Sequence, residues 1–414
     1  MAYFKRSLGI SLWFMFLTLP LMVVRVNTIS HEVEWRWLNM VWVGVAAFVI
    51  SWGSQFWTKR REMQQARDMA ESQPKTVMPS LLQRLTDDPQ LSRRLVLVVA
   101  GLAIAFPWLV STGQNFYHVN VMVSALIFVV LGLGLNITVG LAGLLDLGYI
   151  AFFAVGAYTY ALLNKNFGLG FWTCLPLGGV MSMLFGTVLG FPILRLRGDY
   201  LAIVTLGFGS ITKIVLENWD TLSGGAAGIA GIPRPGLFGL ELDGRQKAVY
   251  LYYIVLGLVA LTIFVTARLK NSRIGRAWMA LREDEIASVA MGVDMARTKL
   301  SAYALGAFWA GLVGVVFAAH NNFVNPDSFA FMESAMVLAM VVLGGMGSIL
   351  GVIIAALALK LLPEYLRAFA GYRMVVFGAV MVLMMVFRPQ GLISDMRRKY
   401  AFGPRKQESG NGSK

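Results

Sequence analysis

Long apolar runs with almost no charged residues are the feature that most constrains this chain. A helix needs about 20 apolar residues to cross a bilayer, because the hydrocarbon core is about 30 Å thick and each residue adds about 1.5 Å. A β-barrel would instead show short segments that alternate apolar and polar residues. The sequence therefore predicts an all-α fold, a polytopic membrane helical bundle. The candidate runs are 7–24, 37–58, 95–111, 119–145, 147–164, 166–194, 200–216, 248–267, 300–319, 334–362 and 374–387.

The composition excludes the main alternatives to a membrane protein. Of the 414 residues, 57% are hydrophobic and only 14% are charged. Soluble domains average about 45–50% apolar and about 25% charged residues. Disordered chains are rich in charge and poor in aromatic residues, which is the reverse of this composition. Cys174 is the single cysteine, so the chain forms no internal disulfide and no cysteine-based metal site.

A glycine cluster, Gly344-Gly-Met-Gly-Ser348, lies in the middle of the run 334–362. Because glycine permits sharp turns and weakens helices, the cluster predicts a break that divides this run into two helices. The total is then twelve membrane helices, about ten in a core and two before it. The predicted divisions are two N-terminal transmembrane helices (1–58), a charged cytoplasmic linker (59–94), the core (95–393) and a cytoplasmic tail (394–414).

The basic residues predict the orientation in the membrane. With the N-terminus in the cytoplasm, 26 of the 36 Lys and Arg residues fall in cytoplasmic segments. Cytoplasmic loops of membrane proteins carry such an excess, so both termini are predicted to be cytoplasmic. The same bias explains the net charge of +14 without a nucleic-acid partner.

The segment 271–299 is a long loop on the predicted cytoplasmic side. Its middle combines helix formers with an acidic cluster and ends at a glycine that is suited to a helix C-terminus. This pattern predicts a short surface helix that a soluble partner can push, and a solvated charged loop is the alternative. The residues expected to contact that partner are Arg282, Glu283, Asp284, Glu285, Ala287 and Gly292.

This loop resembles the "EAA…G" loop of ABC-importer permeases, where the ATPase subunit docks. Glu285, Ala287 and Gly292 occupy matching positions, and Ser288 stands where a second alanine is usual. Five further stretches, in the same order, are similar to the branched-chain amino acid permeases of this class. They are Gly134–Tyr158, Leu194–Gly209, Ser223–Ile229, Met340–Ser348 and Phe387–Leu392. The N-terminal hundred residues resemble an extension that one of the family's two permease subunits carries and its sister subunit lacks.

The resemblance implies a permease core in the inner membrane of a bacterium, importing leucine, isoleucine and valine from the periplasm. It also implies a second homologous permease subunit, two ATPase subunits, a periplasmic amino-acid-binding protein and membrane lipid as partners. The chain has no phosphate-binding Gly-x-x-x-x-Gly-Lys-Ser/Thr loop. The ATP is therefore expected to be used by the partner subunits, and no cofactor is expected on this chain, which is predicted not to be an enzyme.

Polar side chains inside apolar runs are candidates for the translocation path, because burying them in a membrane is costly. They are Asn136, Thr138, Thr205, Ser210, Thr212, His320 and Asn321. Hydrogen bonding of the Ser and Thr hydroxyls to their own helix is the alternative for those residues. Gly306, Ala310 and Gly314 recur at a spacing of four, which predicts close helix packing, within this chain or against another subunit.

Two other functions stay open on the sequence alone. A permease for urea or other small amides would share the same plan. An ion-coupled secondary transporter would need intramembrane carboxylates, whereas Asp146, Asp199 and Glu333 fall at the ends of predicted helices. The run 200–216 carries Lys213, so an incomplete crossing is the alternative there, and Lys213 is expected to pair with Glu217 four residues on.

Overall fold

The computed structural model describes residues 11, 15, 24–26, 33–35, 44–45, 48, 100–108, 116–193, 196, 198–236, 244–365, 378, 382 and 391–393. The predicted linker 59–94 and tail 394–414 lie outside these residues, as do most of the runs 7–24, 37–58 and 374–387. The chain forms two compact units, 1–96 and 97–414. In the first, strand β1 (Val24–Val26) pairs antiparallel with β2 (Val33–Trp35). The four predicted divisions of the chain stay a prediction.

The second unit is a bundle of helices joined by short connections. The helices are α1 (Tyr117–Leu135), α2 (Ile150–Phe167), α3 (Phe171–Ile193), α4 (Asp199–Asn218), α5 (Asp220–Ser223), α6 (Gly244–Lys270), α7 (Arg273–Glu283), α8 (Glu285–Ala290), α9 (Met295–Asn321), α10 (Phe331–Gly344) and α11 (Ile349–Tyr365). A π-helical turn, Asn136–Leu141, extends α1, and residues 100–108 are also helical. Strand β3 (Ile229–Ala230) pairs antiparallel with β4 (Phe323–Val324).

Within the described residues, six helices are long and apolar enough to cross a membrane. They are Tyr117–Leu141, Phe171–Pro192, Tyr200–Asn218, Gln246–Lys270, Met295–Asn321 and Pro326–Gly344. The prediction of an all-α membrane bundle is thereby confirmed, and the total of twelve crossings stays a prediction. The run 200–216, the least secure by sequence, is part of one continuous helix of 20 residues.

Two of these helices form the centre of the bundle. The most apolar stretch of Tyr117–Leu141 is 83% buried and that of Met295–Asn321 is 78% buried, against 28% for Tyr200–Asn218. A helix that is apolar all round must be covered by other helices or by lipid. The helices α1 and α9 are therefore covered by protein, and α4 exposes most of its apolar surface.

Glycines bring α2, α3 and α9 into direct backbone contact. A Cβ atom on Gly156 of α2 would overlap the carbonyl oxygen of Gly311 in α9. One on Gly311 would overlap the carbonyl oxygen of Gly178 in α3. The Ser182 hydroxyl of α3 donates to the Phe152 carbonyl of α2 over 2.9 Å. Helices in lipid gain little from the hydrophobic effect when they associate. Small residues stabilise their contact because they let the backbones approach closely.

The predicted break at the glycine cluster is confirmed. Helix α10 ends at Gly344 and α11 begins at Ile349. Between them, Gly345 and Gly347 adopt φ angles of +106° and +86°, which residues with a Cβ rarely adopt. The break lies at the end of the bundle that carries α7 and α8, which we call the loop end.

The opposite end, which we call the far end, contains α5, the β3–β4 pair and the turn Pro326–Phe329. The predicted pairing of Lys213 with Glu217 is wrong. Lys213 Nζ lies 2.8 Å from Asp327 Oδ1 instead, because the end of α4 packs against that turn and brings its carboxylate within reach. The described part of the far end thus consists of these folded elements.

Candidate functional site

The loop 271–299 contains two short helices where the sequence predicts one. Helix α7 begins after Ser272, whose hydroxyl accepts the Gly275 N–H over 3.1 Å. At Asp284 the backbone is extended, and the carboxylate accepts the N–H groups of Ile286 and Ala287 over 2.8 and 3.0 Å. A short acidic side chain favours this helix-starting position over a helix interior. Asp284 therefore ends α7 and begins α8.

Helix α8 ends in a turn built on Gly292. Its φ angle is +88°, and its N–H donates to the Val289 carbonyl over 2.9 Å. The N–H of Val293 donates to the Ser288 carbonyl over 3.1 Å, which completes a Schellman motif. The chain thereby turns sharply from α8 towards α9.

An apolar surface is exposed on α8 and the turn that follows. Ile286 is 75% exposed and Met291 is 85% exposed, and Val289 beside them is also exposed. Ser288, the departure from the family pattern, is buried on the opposite side of this short helix. Glu283 and Asp284 are exposed next to the apolar residues. An apolar patch with a polar rim is typical of a protein-docking surface.

Two contacts hold the loop against α9. Trp278 of α7 is fully buried, and its indole N–H donates to the Thr298 carbonyl over 2.9 Å. The ammonium group of Lys299 forms an ion pair with Glu285 and is itself buried. Glu285 therefore points towards the bundle, and removing it would leave the buried Lys299 charge without this partner, which is costly.

A third contact joins the loop to the π-helical turn of α1. The guanidinium of Arg282 donates to the carbonyl oxygen of Gly140. The side chain crosses Gly143 closely, since a Cβ on that glycine would lie 2.8 Å from Arg282 Cγ. π-helical turns occur often at functional sites. This contact is not visible in the sequence, because Arg282 and Gly140 lie 142 positions apart.

Asp146 is a buried carboxyl group in the connection between α1 and α2. It is 1% exposed, and one carboxylate oxygen accepts the Gly148 N–H over 2.9 Å. Burial raises the pKa of Asp146 from 3.8 to about 7, and that hydrogen bond and the hydroxyls of Tyr303 and Thr205 partly oppose the rise. The Tyr303 hydroxyl approaches without forming a well-aligned hydrogen bond. Apart from its apolar neighbours, no sequence pattern indicates that this acid is buried.

The predicted path residues fall into two groups. Asn136, Thr138 and Thr205 are fully buried in the half of the bundle near the loop end. Asn136 accepts the Gly347 N–H over 2.8 Å, and Thr205 accepts the Leu147 N–H over 3.0 Å. The hydroxyl groups of Thr138, Thr205, Ser210 and Thr212 all donate to carbonyls of their own helices.

His320 and Asn321 lie at the far end, at the last turn of α9. His320 Nε2 is 3.3 Å from the Ser124 hydroxyl, and Asn321 is exposed. Arg234 donates to the His320 carbonyl over 3.2 Å and to the Asn322 side chain over 2.9 Å. The structure therefore does not gather the predicted path residues into one pocket.

The packing residues of α9 contact helices of the same chain. A Cβ on Gly306 would lie 2.7 Å from Thr138 Cγ2, and one on Gly314 would lie 2.7 Å from the Ala157 nitrogen. Ala310 between them is fully buried. Within the described part of the chain, no group of three His, Cys, Asp or Glu side chains is placed to hold a metal ion.

Comparison with known proteins places this architecture in a family. Residues 117–386 match the family described as "Branched-chain amino acid transport system / permease component". The chain is 46% identical to the high-affinity branched-chain amino acid transport system permease protein LivM of Escherichia coli (strain K12), across 89% of this chain and 87% of the relative.

More distant relatives include both kinds of permease. The chain is 25% identical to the permease protein LivH of the same bacterium, across 64% of this chain and 91% of LivH. It is 24% identical to a probable LivM of Methanocaldococcus jannaschii, across 64% of this chain and 85% of that relative. No solved structure matches significantly. This multi-pass membrane protein belongs to the family of branched-chain amino acid transport permeases of ABC importers.

Proposed function

We propose that this chain is one of two permease subunits of an importer that moves leucine, isoleucine and valine from the periplasm to the cytoplasm. Two separate ATPase subunits drive it, and a periplasmic binding protein delivers the amino acid. It resides in the bacterial inner membrane with both termini in the cytoplasm. The match to LivM over most of the chain supports the substrate class, and the match to LivH supports a paired permease subunit.

The observation that carries this proposal is the exposed apolar surface of α8. Ile286, Val289 and Met291 extend from a loop that is otherwise firmly attached to the bundle. An exposed apolar side chain gains about 1.5–3 kcal/mol when a partner covers it fully. A surface of this kind on a rigid support suits a partner that pushes, and we assign it to the ATPase subunit.

The attachments of the loop explain how a push reaches the membrane helices. The Lys299–Glu285 ion pair and the Trp278 hydrogen bonds connect α7 and α8 to the start of α9. Movement of the loop therefore moves α9, the helix at the centre of the bundle. ATP is consumed by the partner subunits, and this chain contributes no ATPase site, no cofactor and no enzymatic activity of its own.

The amino acid passes through the bundle between its far end and its loop end. We assign the polar groups of Asn136, Thr138 and Thr205 to the inner half of this path. We assign His320 and Asn321 to its entrance. A few polar groups among apolar walls suit a zwitterion with an apolar side chain.

Reconstitution tests the function as a whole. The chain, co-purified with its partner subunits, is placed in liposomes with ATP, the binding protein and radiolabelled leucine. Uptake that requires both ATP and the binding protein is the expected result. Uptake driven by an ion gradient without ATP would contradict the proposal, and stronger competition by urea than by valine would contradict the substrate class.

The docking surface is tested by a matched pair of substitutions in one loop. Ile286→Asp places a charge in the exposed patch of α8, so we expect the ATPase subunits to be lost from the purified complex and uptake to fall by about tenfold or more. Ile274→Asp changes the same residue type on α7, where the side chain is 49% exposed. Equal loss of ATPase subunits from both variants would show that α8 is not the docking surface.

A further inference from the structure

Two breaks in helix geometry meet at the loop end of the bundle. The π-helical turn of α1 lies against the glycine break between α10 and α11, and the Gly347 N–H donates to Asn136 Oδ1 over 2.8 Å. A Cβ on Gly140 would overlap Asn136 Oδ1 and lie 2.6 Å from the Gly347 nitrogen, so the two backbones approach closely beside the Asn136 side chain. We call this meeting of Asn136, Gly140 and Gly347 the inner junction.

Two basic side chains, one from the loop and one from the end of α6, donate hydrogen bonds to the two backbones of the inner junction. Arg282 of α7 donates to the carbonyl oxygen of Gly140. Lys270, the last residue of α6, donates to the carbonyl oxygen of Gly347 over 3.1 Å. Carbonyls at helix ends and breaks lack partners within their own helix, so a charged donor stabilises them strongly. The Gly140 backbone thus accepts a hydrogen bond from the loop itself, and the Gly347 backbone accepts one from the end of the helix before the loop.

The junction is also incompletely satisfied. Asn136 is fully buried, and among the described residues its Nδ2 group has no hydrogen-bond partner. A buried donor without an acceptor costs free energy. A second arrangement, in which Gly347 moves away and Asn136 gains another partner, recovers this cost. Packed helices change between discrete arrangements rather than deforming continuously.

We propose that Arg282 and Lys270 are positioning residues that transmit loop movement to the inner junction, and that opening of the Asn136–Gly347 contact releases the amino acid on the cytoplasmic side. This inference rests on the proposed function. When the loop is pushed, Arg282 moves with α7 and displaces the π-helical turn. Lys270 moves at the end of α6 and displaces the glycine break. The contact between the two backbones then opens.

The test separates ATP consumption from transport in the reconstituted complex. Arg282→Ala removes the bond to Gly140, so we expect the ATP used per leucine to rise about tenfold. Arg276→Ala is the matched control, because Arg276 is also an exposed arginine of α7 but donates to Asn271 within the loop. The Arg276→Ala variant should leave the rate of ATP hydrolysis and the rate of leucine uptake unchanged.

Asn136 supplies the second arm. Asn136→Ala should raise the ATP used per leucine as Arg282→Ala does. The double variant should use no more ATP per leucine than either single variant, because each of the three breaks the same connection. If Asn136→Ala fails to assemble, Arg282→Lys replaces it, since lysine keeps the charge and should restore part of the coupling.

Three outcomes overturn the inference. They are an unchanged ratio of ATP to leucine in Arg282→Ala, an equal rise in Arg276→Ala, and strictly additive effects of Arg282→Ala and Asn136→Ala. The proposed function fails by a different result, in which the unsubstituted complex shows no uptake dependent on ATP. The two failures are therefore distinguishable in one set of liposomes.

Discussion

At the scale of single residues, burial decides what each charged side chain can do. Asp146 is enclosed by protein, whereas Asp327 is 74% exposed and pairs with Lys213. Lys299 is enclosed and forms an ion pair with Glu285, which is only partly buried. A buried charge is tolerated only when it is paired or neutralised. Burial raises the pKa of Asp146, which favours its neutral form, and Lys299 is paired.

The buried carboxyl of Asp146 predicts a dependence of stability on pH. Its pKa is about 7 when folded and 3.8 ordinarily, so the folded state binds the proton more tightly. Stability should therefore fall as the pH rises from about 4 to about 7, where the unfolded chain has released a proton that the folded chain still holds. An amide at this position cannot ionise. At high pH the Asp146→Asn variant should therefore be more stable than the unsubstituted chain by on the order of 1–4 kcal/mol.

Thermal unfolding in detergent measures this effect. The Tm of Asp146→Asn minus that of the unsubstituted chain should grow between about pH 5 and about pH 8. The exposed Asp327→Asn is the control, and its difference should stay constant across the same range. If the Tm difference between Asp146→Asn and the unsubstituted chain shrinks as the pH rises, the folded protein stabilises the charged form of the carboxyl instead.

At the scale of elements, single residues set where helices break and how closely they pack. Gly344–Ser348 separates α10 from α11 in the way the sequence predicts, because adjacent glycines leave a strong local signal. Asp284 divides α7 from α8 although the string Arg-Glu-Asp-Glu reads as helical, because its carboxylate caps the second helix. The attachment of Arg282 to Gly140 could not be predicted, since it joins residues 142 positions apart.

Two glycines in different helices should respond oppositely to alanine. A Cβ on Gly314 of α9 would lie 2.7 Å from the Ala157 nitrogen, whereas one on Gly257 of α6 meets nothing within 4 Å. Gly314→Ala should lower the Tm because backbones must separate. Gly257→Ala should leave it unchanged or raise it, because alanine favours a helix by about 1 kcal/mol. Equal Tm values for both variants would contradict close packing at Gly314.

At the scale of the whole molecule, hydrophobicity predicts a helical membrane protein and determines little else. Sequence patterns predict the bundle class, the glycine break and the family, because each of these patterns is formed by residues close together along the chain. Which helices occupy the centre does not follow, since α4 and α9 are both apolar yet differ greatly in burial. The separation of Asn136 from His320, at opposite ends of the bundle, also required the structure.

The orientation of the molecule is testable with cysteine labelling. Cys174 is the single cysteine and is fully buried, so it should contribute little background. In intact cells, a maleimide that cannot cross membranes should label Phe323→Cys at the far end and leave Arg276→Cys of α7 unlabelled until the membrane is opened. The reverse pattern would invert the predicted topology, since the loop would then face outwards.

The glycine contacts among α2, α3 and α9 have a consequence for measuring motion. Where Gly156, Gly178 and Gly311 meet, backbone lies against backbone, so little side-chain volume can repack at that point while one of these helices slides past another. We therefore expect the three helices to change position together, as a rigid frame. A pair of spectroscopic probes with one member fixed on this frame would therefore record the displacement of α10 and α11 directly, because the reference point itself does not deform.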